Sequence, residues 1–184
     1  MIGEGFPAVL AAARQGDEAA FSVLWRDCNP PLVRYLKVIA PESAEDAAAE
    51  TWVSVIRGLG RFEGDESAWR AWLFTTARRR VGDDRKRRSR RPEWLTAEAG
   101  AGEALLASDP ADLALENLAT REAVAVVASL PPLQAEVIML RVVAGLDTGT
   151  VARLVGRSPG AVRVAVHRGL RRLAQVMTEA GVTL

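Results

Sequence analysis

Histidine, cysteine and tyrosine each occur once in the 184 residues, and aromatic side chains make up only 5% of the chain. A single cysteine, Cys28, excludes an internal disulfide. With His167 as the sole histidine there are too few soft ligands for a zinc site. The composition therefore predicts no metal and no cofactor. No apolar stretch reaches the roughly 20 residues that cross a bilayer. Residues 1–7 lack the basic region and apolar run of a signal peptide. The expectation is a cytoplasmic protein without membrane insertion.

What the chain does contain is Ala, Leu, Val, Arg and Glu in excess. All but Val are strong helix formers, so the expected fold class is all-α. The formal net charge of +1 conceals a strong asymmetry along the chain. Three zones follow from it: residues 1–91, an acidic linker over 92–112, and residues 113–184. The expectation is two small helical domains, the second a helix–turn–helix.

In the first zone Phe6, Val9, Leu10 and Ala13 recur at helical spacing. Phe21, Leu24, Trp25, Leu32 and Leu36 continue the pattern, and Pro30 and Pro31 are expected to break or kink it. Ser43 is the expected N-cap of a helix carrying Ala47, Thr51, Val55 and Leu59 on one side. Gly58, Gly60 and Gly64 predict a loop over residues 61–66. Ser67 is then the expected cap of a helix with Trp69, Leu73 and Ala77 on one face. The linker holds Glu93, Glu98, Glu103, Asp109 and Asp112 and no Lys or Arg. Beyond it, helices are predicted over 113–130, 133–144 and 148–155. A turn at Gly156 then leads to a last helix opened by Ser158 and Pro159.

Two short helices joined by a glycine turn let the second lie in a DNA major groove. On the last helix Val162, Val166, Leu170 and Leu173 are spaced to pack inward. Arg163, His167 and Arg171 form a ridge beside them, widened by Arg168 and Arg172. Arg163 and Val164 are early enough to reach base edges; the later arginines suit phosphates. An ordinary amphipathic helix with a solvated basic face is the plainer reading.

The second pattern is a basic run, Arg78, Arg79, Arg80, Arg85, Lys86, Arg87, Arg88, Arg90 and Arg91, opposed only by Asp83 and Asp84. Such density favours a polyanion through counterion release. It follows Trp69, Trp72 and Phe74, and aromatics beside a basic stripe suit unstacked single strands. For each tryptophan taken alone, core packing is the simpler reading. Cys28 reads as a buried small hydrophobe, and His167 as DNA-facing or solvated.

Five segments together carry a family resemblance: Ser43-Ala-Glu-Asp-Ala-Ala-Ala-Glu-Thr-Trp52, Arg61-Phe-Glu-Gly64, Ala71-Trp-Leu-Phe-Thr-Thr-Ala-Arg78, Leu130-Pro-Pro-Leu-Gln-Ala-Glu-Val-Ile-Met-Leu-Arg141 and Gly160-Ala-Val-Arg-Val-Ala-Val-His-Arg-Gly-Leu-Arg-Arg-Leu173. In order and spacing they resemble bacterial RNA polymerase sigma factors of the extracytoplasmic-function (ECF) group. The resemblance implies that Asp46, Glu50 and Trp52 lie on a helix docking on core RNA polymerase. It implies that Arg61 and Phe62, with Trp69, Trp72 and the basic residues Arg78, Arg79, Arg80, Arg85, Lys86, Arg87 and Arg88, hold melted minus-ten promoter DNA. Ser158, Arg163, Val164, His167, Arg168 and Arg171 would read the minus-thirty-five element. The acidic linker would thread the polymerase RNA channel, and an anti-sigma protein would be a partner.

Three positions depart from the pattern. Ala49 stands where the family often has Gln, Gly149 lowers the helicity of the first motif helix, and Ala165 replaces an Arg of many relatives, which implies a missing recognition contact. The alternative reading is a helix–turn–helix repressor or activator acting without polymerase binding. It explains the third zone but leaves the Ser43–Trp52 segment without a use. A nucleic-acid-processing enzyme would need Asp46 with Glu50, or Asp83 with Asp84, to hold magnesium. No nucleophile or base accompanies either pair, so no enzyme is expected.

Overall fold

The structure, a computed structural model, describes residues 1–90 and 118–179. The expected linker, 92–112, lies outside the described residues, as do 113–117 of the helix that follows it. Among the described residues every regular element is helical.

Helix α1 (Phe6–Arg14) buries Phe6, Leu10 and Ala13. Helix α2 (Glu18–Ile39) is capped by Asp17, whose carboxylate accepts from the Ala20 N–H at 3.0 Å. It runs through Pro30 and Pro31, so the expected break does not occur. Each interior proline costs about 3 kcal/mol. Against this, Leu24, Leu32 and Leu36 are fully buried, each worth about 1.5–3 kcal/mol, and Cys28 and Tyr35 lie beside them in the core. Packing wins over local propensity.

Helix α3 (Ala44–Leu59) buries Ala47, Thr51, Val55 and Leu59, as their spacing predicted. Ser43 occupies the N-cap position but makes no capping bond. A tight turn over Pro41–Ser43 leaves it at φ −130°, ψ 22°, outside the extended conformation that aims a cap hydroxyl at the helix. Helix α4 (Glu66–Arg90) buries Trp69, Leu73, Phe74, Ala77 and Val81. Its cap is Asp65, which accepts from the Ala68 N–H at 2.7 Å. Ser67 therefore lies inside the helix, and the loop ends one residue earlier than expected.

The second part holds α5 (Leu118–Ala128) and α6 (Pro132–Ile138), the latter continued by a wide turn over Met139–Val143. Gly145, at φ 69°, takes the left-handed conformation that ends it. Helix α7 (Thr148–Val155) has the bounds read from sequence. Its cap, overlooked in the sequence, is Asp147, which accepts from the Gly149 and Thr150 N–H groups at 2.8 and 3.0 Å. Gly149 thus sits in the first turn, where it weakens the helix less than in the interior. Gly156 at φ 67° makes the turn to α8 (Pro159–Glu179). Ser158 Oγ caps α8 by accepting from the Ala161 N–H at 3.2 Å.

The two parts pack on each other. Helix α2 lies against α5, α6 and the wide turn, and Val137, Met139, Leu140 and Ala144 belong to the same buried cluster as Leu32, Tyr35 and Leu36.

Candidate nucleic-acid interface

Helix α8 presents Arg163, Val164, His167, Arg168 and Arg171 to solvent as one outward face. Its inward line differs from the spacing argument. Val162, Ala165 and Gly169 are buried and Leu173 is half-buried, whereas Leu170 is 47% exposed and Val166 only partly covered. One reason is the partner: α8 crosses α6 so closely at Gly169 that a β-carbon there would meet Ile138. Ala165, 7% exposed, belongs to the buried cluster that includes Val151, Val155 and Val162. It is therefore buried in the chain, unlike Arg163, Val164 and His167 beside it. Ser158 is exposed, but its hydroxyl oxygen is engaged in the cap.

In the first part lies an open depression of about 630 Å³, lined by Arg57, Gly58, Arg61, Phe62, Glu63 and Trp72. Phe62 stacks on Trp72 with ring centroids 5.0 Å apart and planes 12° from parallel. Trp69 meets both rings edge-on at 5.5 Å from beneath. Trp69 is fully buried, so it supports the depression and offers no face to a strand. A β-carbon on Gly58 would stand 2.8 Å from Trp72 Cζ2, so the glycine lets the indole lie across α3. Arg14 donates to the Gly60 carbonyl at 3.1 Å and steadies the start of the loop.

The basic residues of α4 divide in two. Arg79, Arg85, Lys86, Arg87 and Arg88 are exposed. Several meet carboxylates or carbonyls nearby: Arg79 with Asp83 at 3.8 Å, Arg87 with Asp84 at 3.9 Å, Arg88 with Asp84 at 2.8 Å and with Glu42 at 3.7 Å, and Arg85 with the Ile39 carbonyl. Exposed pairs of this kind contribute about 0–1 kcal/mol and exchange readily for phosphate. Arg78 and Arg80 are half-buried and turned inward. Arg80 donates to Ser54 Oγ at 2.6 Å and lies 3.9 Å from Glu50; Arg78 Nε donates to Glu136 Oε1 at 2.7 Å. That hydrogen bond raises the Arg78 pKa further.

On α3 the exposed face carries Glu45, Asp46, Ala49, Glu50 and Ile56. Trp52 is not on it. Its ring is 2% exposed, its Nε1 donates to Asn29 Oδ1 at 2.9 Å, and Phe21 meets it edge-on. The residue that sequence reasoning missed is Ile56, 47% exposed. Its signal was present: it lies off the Ala47–Thr51–Val55 line, an isoleucine on an otherwise polar side.

A helix–turn–helix with an outward basic ridge, joined to helices that carry stacked aromatics and exposed arginines, is a helical arrangement suited to nucleic acid. Comparisons with known proteins narrow this. The family models Sigma-70 region 2 and Sigma-70, region 4 match residues 24–91 and 112–173. The chain is 32% identical over 195 residues to the ECF RNA polymerase sigma factor SigD of Mycobacterium tuberculosis, covering 98% of this chain and 88% of that one. It is 32% identical over 170 residues to the ECF RNA polymerase sigma factor BldN of Streptomyces coelicolor, covering 91% of this chain and 64% of that one. In fold it is similar to the sigma factor RpoE of Bartonella quintana, solved with the anti-sigma factor NepR, at a TM-score of 0.61 and 22% identity over 86% of this chain and 96% of that one. It is also similar to CnrH, solved with the cytosolic domain of CnrY, at a TM-score of 0.59 and 19% identity over 96% and 99%. The chain belongs to the family of ECF RNA polymerase sigma factors.

Proposed function

We propose that this chain binds core RNA polymerase through the exposed face of α3 and directs initiation at promoters through two separate DNA contacts. The observation that carries this reading is the α3 face itself. Asp46, Glu50 and Ile56 are all exposed along it, Glu50 lying 3.9 Å from the Arg80 guanidinium. A regulator that only grips an operator has no use for such a surface. In the proposed division residues 1–91 bind polymerase and the minus-ten element, 92–112 link, and 113–184 read the minus-thirty-five element. The depression beside Phe62 and Trp72 would take an extruded base, stacked on an aromatic ring. The exposed arginines of α4 would track the nearby backbone, and Arg78 and Arg80 would join them once turned outward. Arg163 would read a base, with His167, Arg168 and Arg171 toward phosphates.

An anti-sigma protein is the proposed restraint, by analogy with RpoE and its anti-sigma factor NepR. The reading places the chain in the cytoplasm with polymerase and gives it no catalytic chemistry of its own. Run-off transcription with purified core polymerase and genomic templates tests it. Discrete transcripts that require the chain are expected. Polymerase-independent binding of a dimer to a palindromic operator, with no such transcripts, would replace this reading with that of a plain repressor or activator.

A further inference from the structure

Gly82 stands in the interior of α4, and nothing in the described chain requires a glycine there. It ends no helix, and its φ is not in the left-handed region. Gly58 and Gly169 each have a neighbour that a β-carbon would strike. At Gly82 a β-carbon would meet nothing within 4 Å among the described residues. Glycine weakens a helix interior relative to alanine, so the stability of the chain would be better served by a side chain at this position.

The surroundings of Gly82 supply a use for it. Thr75, Arg79, Gly82, Lys86 and Ser89 follow one another at i, i+4, i+7, i+11 and i+14 and so share one face of α4. All are exposed except Gly82, which is half-buried. Trp72, seven residues before Arg79, lies on the same face, and it carries the stacked ring of Phe62 at the depression. From Trp72 to Gly82 the helix rises about 15 Å. Asp83 lies beside this line, 3.8 Å from Arg79, whereas Asp84 lies on the other side of the helix with Arg87 and Arg88.

The face is a saddle. Its centre is bare helix backbone, and a long cation stands one turn to either side. Phosphates laid along it come closest at Gly82, within reach of Arg79 and Lys86 together. A side chain at position 82 would lift them away without changing any charge. The face begins at a stacked aromatic pair, which suits unstacked bases, and continues as cations, which suit the backbone that joins those bases.

We infer that Gly82 is the point of closest approach of a single DNA strand to α4, with the strand's phosphates settled between Arg79 and Lys86 and a base held beside Phe62 and Trp72 a few nucleotides away. The inference rests on reading α4 as a DNA-binding helix, so the test separates the two.

The full chain is compared with Gly82→Ala, Gly82→Leu, Arg79→Ala and Lys86→Ala. Stability is read as Tm by circular dichroism. Binding is read by fluorescence anisotropy with a labelled mixed-sequence single-stranded DNA over a range of salt. Gly82→Ala should raise Tm by about 2–4 °C, because the helix gains and nothing is struck. The same variant should bind the strand several-fold more weakly, and Gly82→Leu more weakly still. A gain in stability with a loss of binding is the signature of a glycine kept for a ligand. Lys86→Ala should weaken binding and flatten the log–log salt slope by about 0.7, the share of one phosphate contact on a single strand. Parent-like binding by both Gly82 variants, alongside weakened binding by Lys86→Ala, would overturn the saddle and leave α4 as a DNA contact. A fall in Tm for Gly82→Ala would also overturn it, since the chain itself would then need the glycine. Parent-like binding by Arg79→Ala and Lys86→Ala together would remove the DNA-binding reading of this face, and the inference with it.

Discussion

Gly169 and Ile138 meet so closely across the α6–α8 crossing that a β-carbon on Gly169 would stand 2.5 Å from Ile138 Cδ1 and 3.4 Å from Gln134 Cβ. Replacing Gly169 with Ala gains about 1 kcal/mol of helix propensity but overpacks a buried contact, at a cost of about 1–3 kcal/mol. A net loss of up to about 2 kcal/mol is expected. Ile138→Val removes the clashing methyl, so a double-mutant cycle by urea unfolding should give a favourable coupling of at least about 0.5 kcal/mol. Strict additivity would contradict the contact.

Trp52 and Glu50 are neighbours in sequence with different expected phenotypes. Trp52→Ala empties a core site and should cost about 3–5 kcal/mol, seen as a large fall in Tm. Glu50→Lys and Ile56→Glu change exposed positions and should hold stability to within about 1 kcal/mol. Both should lose co-purification with core polymerase. Retained co-purification of the Glu50→Lys, Ile56→Glu double variant would refute the docking face.

Ala165→Arg should not restore a base contact. It drives a charge into a buried position of α8 and should destabilise the helix–turn–helix by several kcal/mol, within the range for an unpaired buried charge. Arg163→Ala, by contrast, should leave Tm unchanged and relax preference at one or two upstream base pairs, a loss of about 1–3 kcal/mol in discrimination. Transcription from a library of upstream-element variants reads both. Arg171→Ala should weaken all sequences alike.

Asp147 gives the helix–turn–helix a pH dependence. Hydrogen bonds from Thr150, helped by the Gly149 N–H, hold its carboxyl below the ordinary carboxylate value. A carboxyl lowered on folding contributes stability at neutral pH that is lost as pH falls through its folded value, here below about pH 4. Asp147→Ala should cost about 0.5–2 kcal/mol at pH 7. Asp147→Asn should keep most of the cap and lose its share of the acid dependence, which chemical denaturation at pH 7 and pH 3 would reveal.

Cys28 should be silent in the folded chain. Burial pushes its thiol up to about 11, so at pH 8 it is both neutral and covered. Alkylation by iodoacetamide should proceed only as fast as the core opens and should be complete in denaturant. Rapid labelling of native protein would mean that α2 is not packed as described.

Much of the architecture was legible from spacing. The lines Ala47–Thr51–Val55–Leu59 and Trp69–Leu73–Ala77, the bounds of α7 and the Gly156 turn all follow from helical period and left-handed glycine, which are local properties. Caps were read less well, because several polar residues compete at each helix start and the path of the preceding turn selects one. Asp65 caps instead of Ser67, and Ser43 is turned aside by the Pro41 turn.

The sequence by itself determined an all-helical chain, a helix–turn–helix, a basic segment after the aromatics, and the family those motifs resemble. Only the tertiary structure decided which residues face out. On α8, apolar residues lie at several angles; the close crossing with α6 holds Gly169 inside, packing in the helix–turn–helix core buries Ala165, and Leu170 is left in solvent. The fully buried leucines of α2 outweighed the local cost of Pro30 and Pro31. Glu136 and Arg78, 58 residues apart, have no local signature of their pairing. Period and propensity act over a turn or two of helix, whereas burial and charge pairing act on whatever the fold brings together.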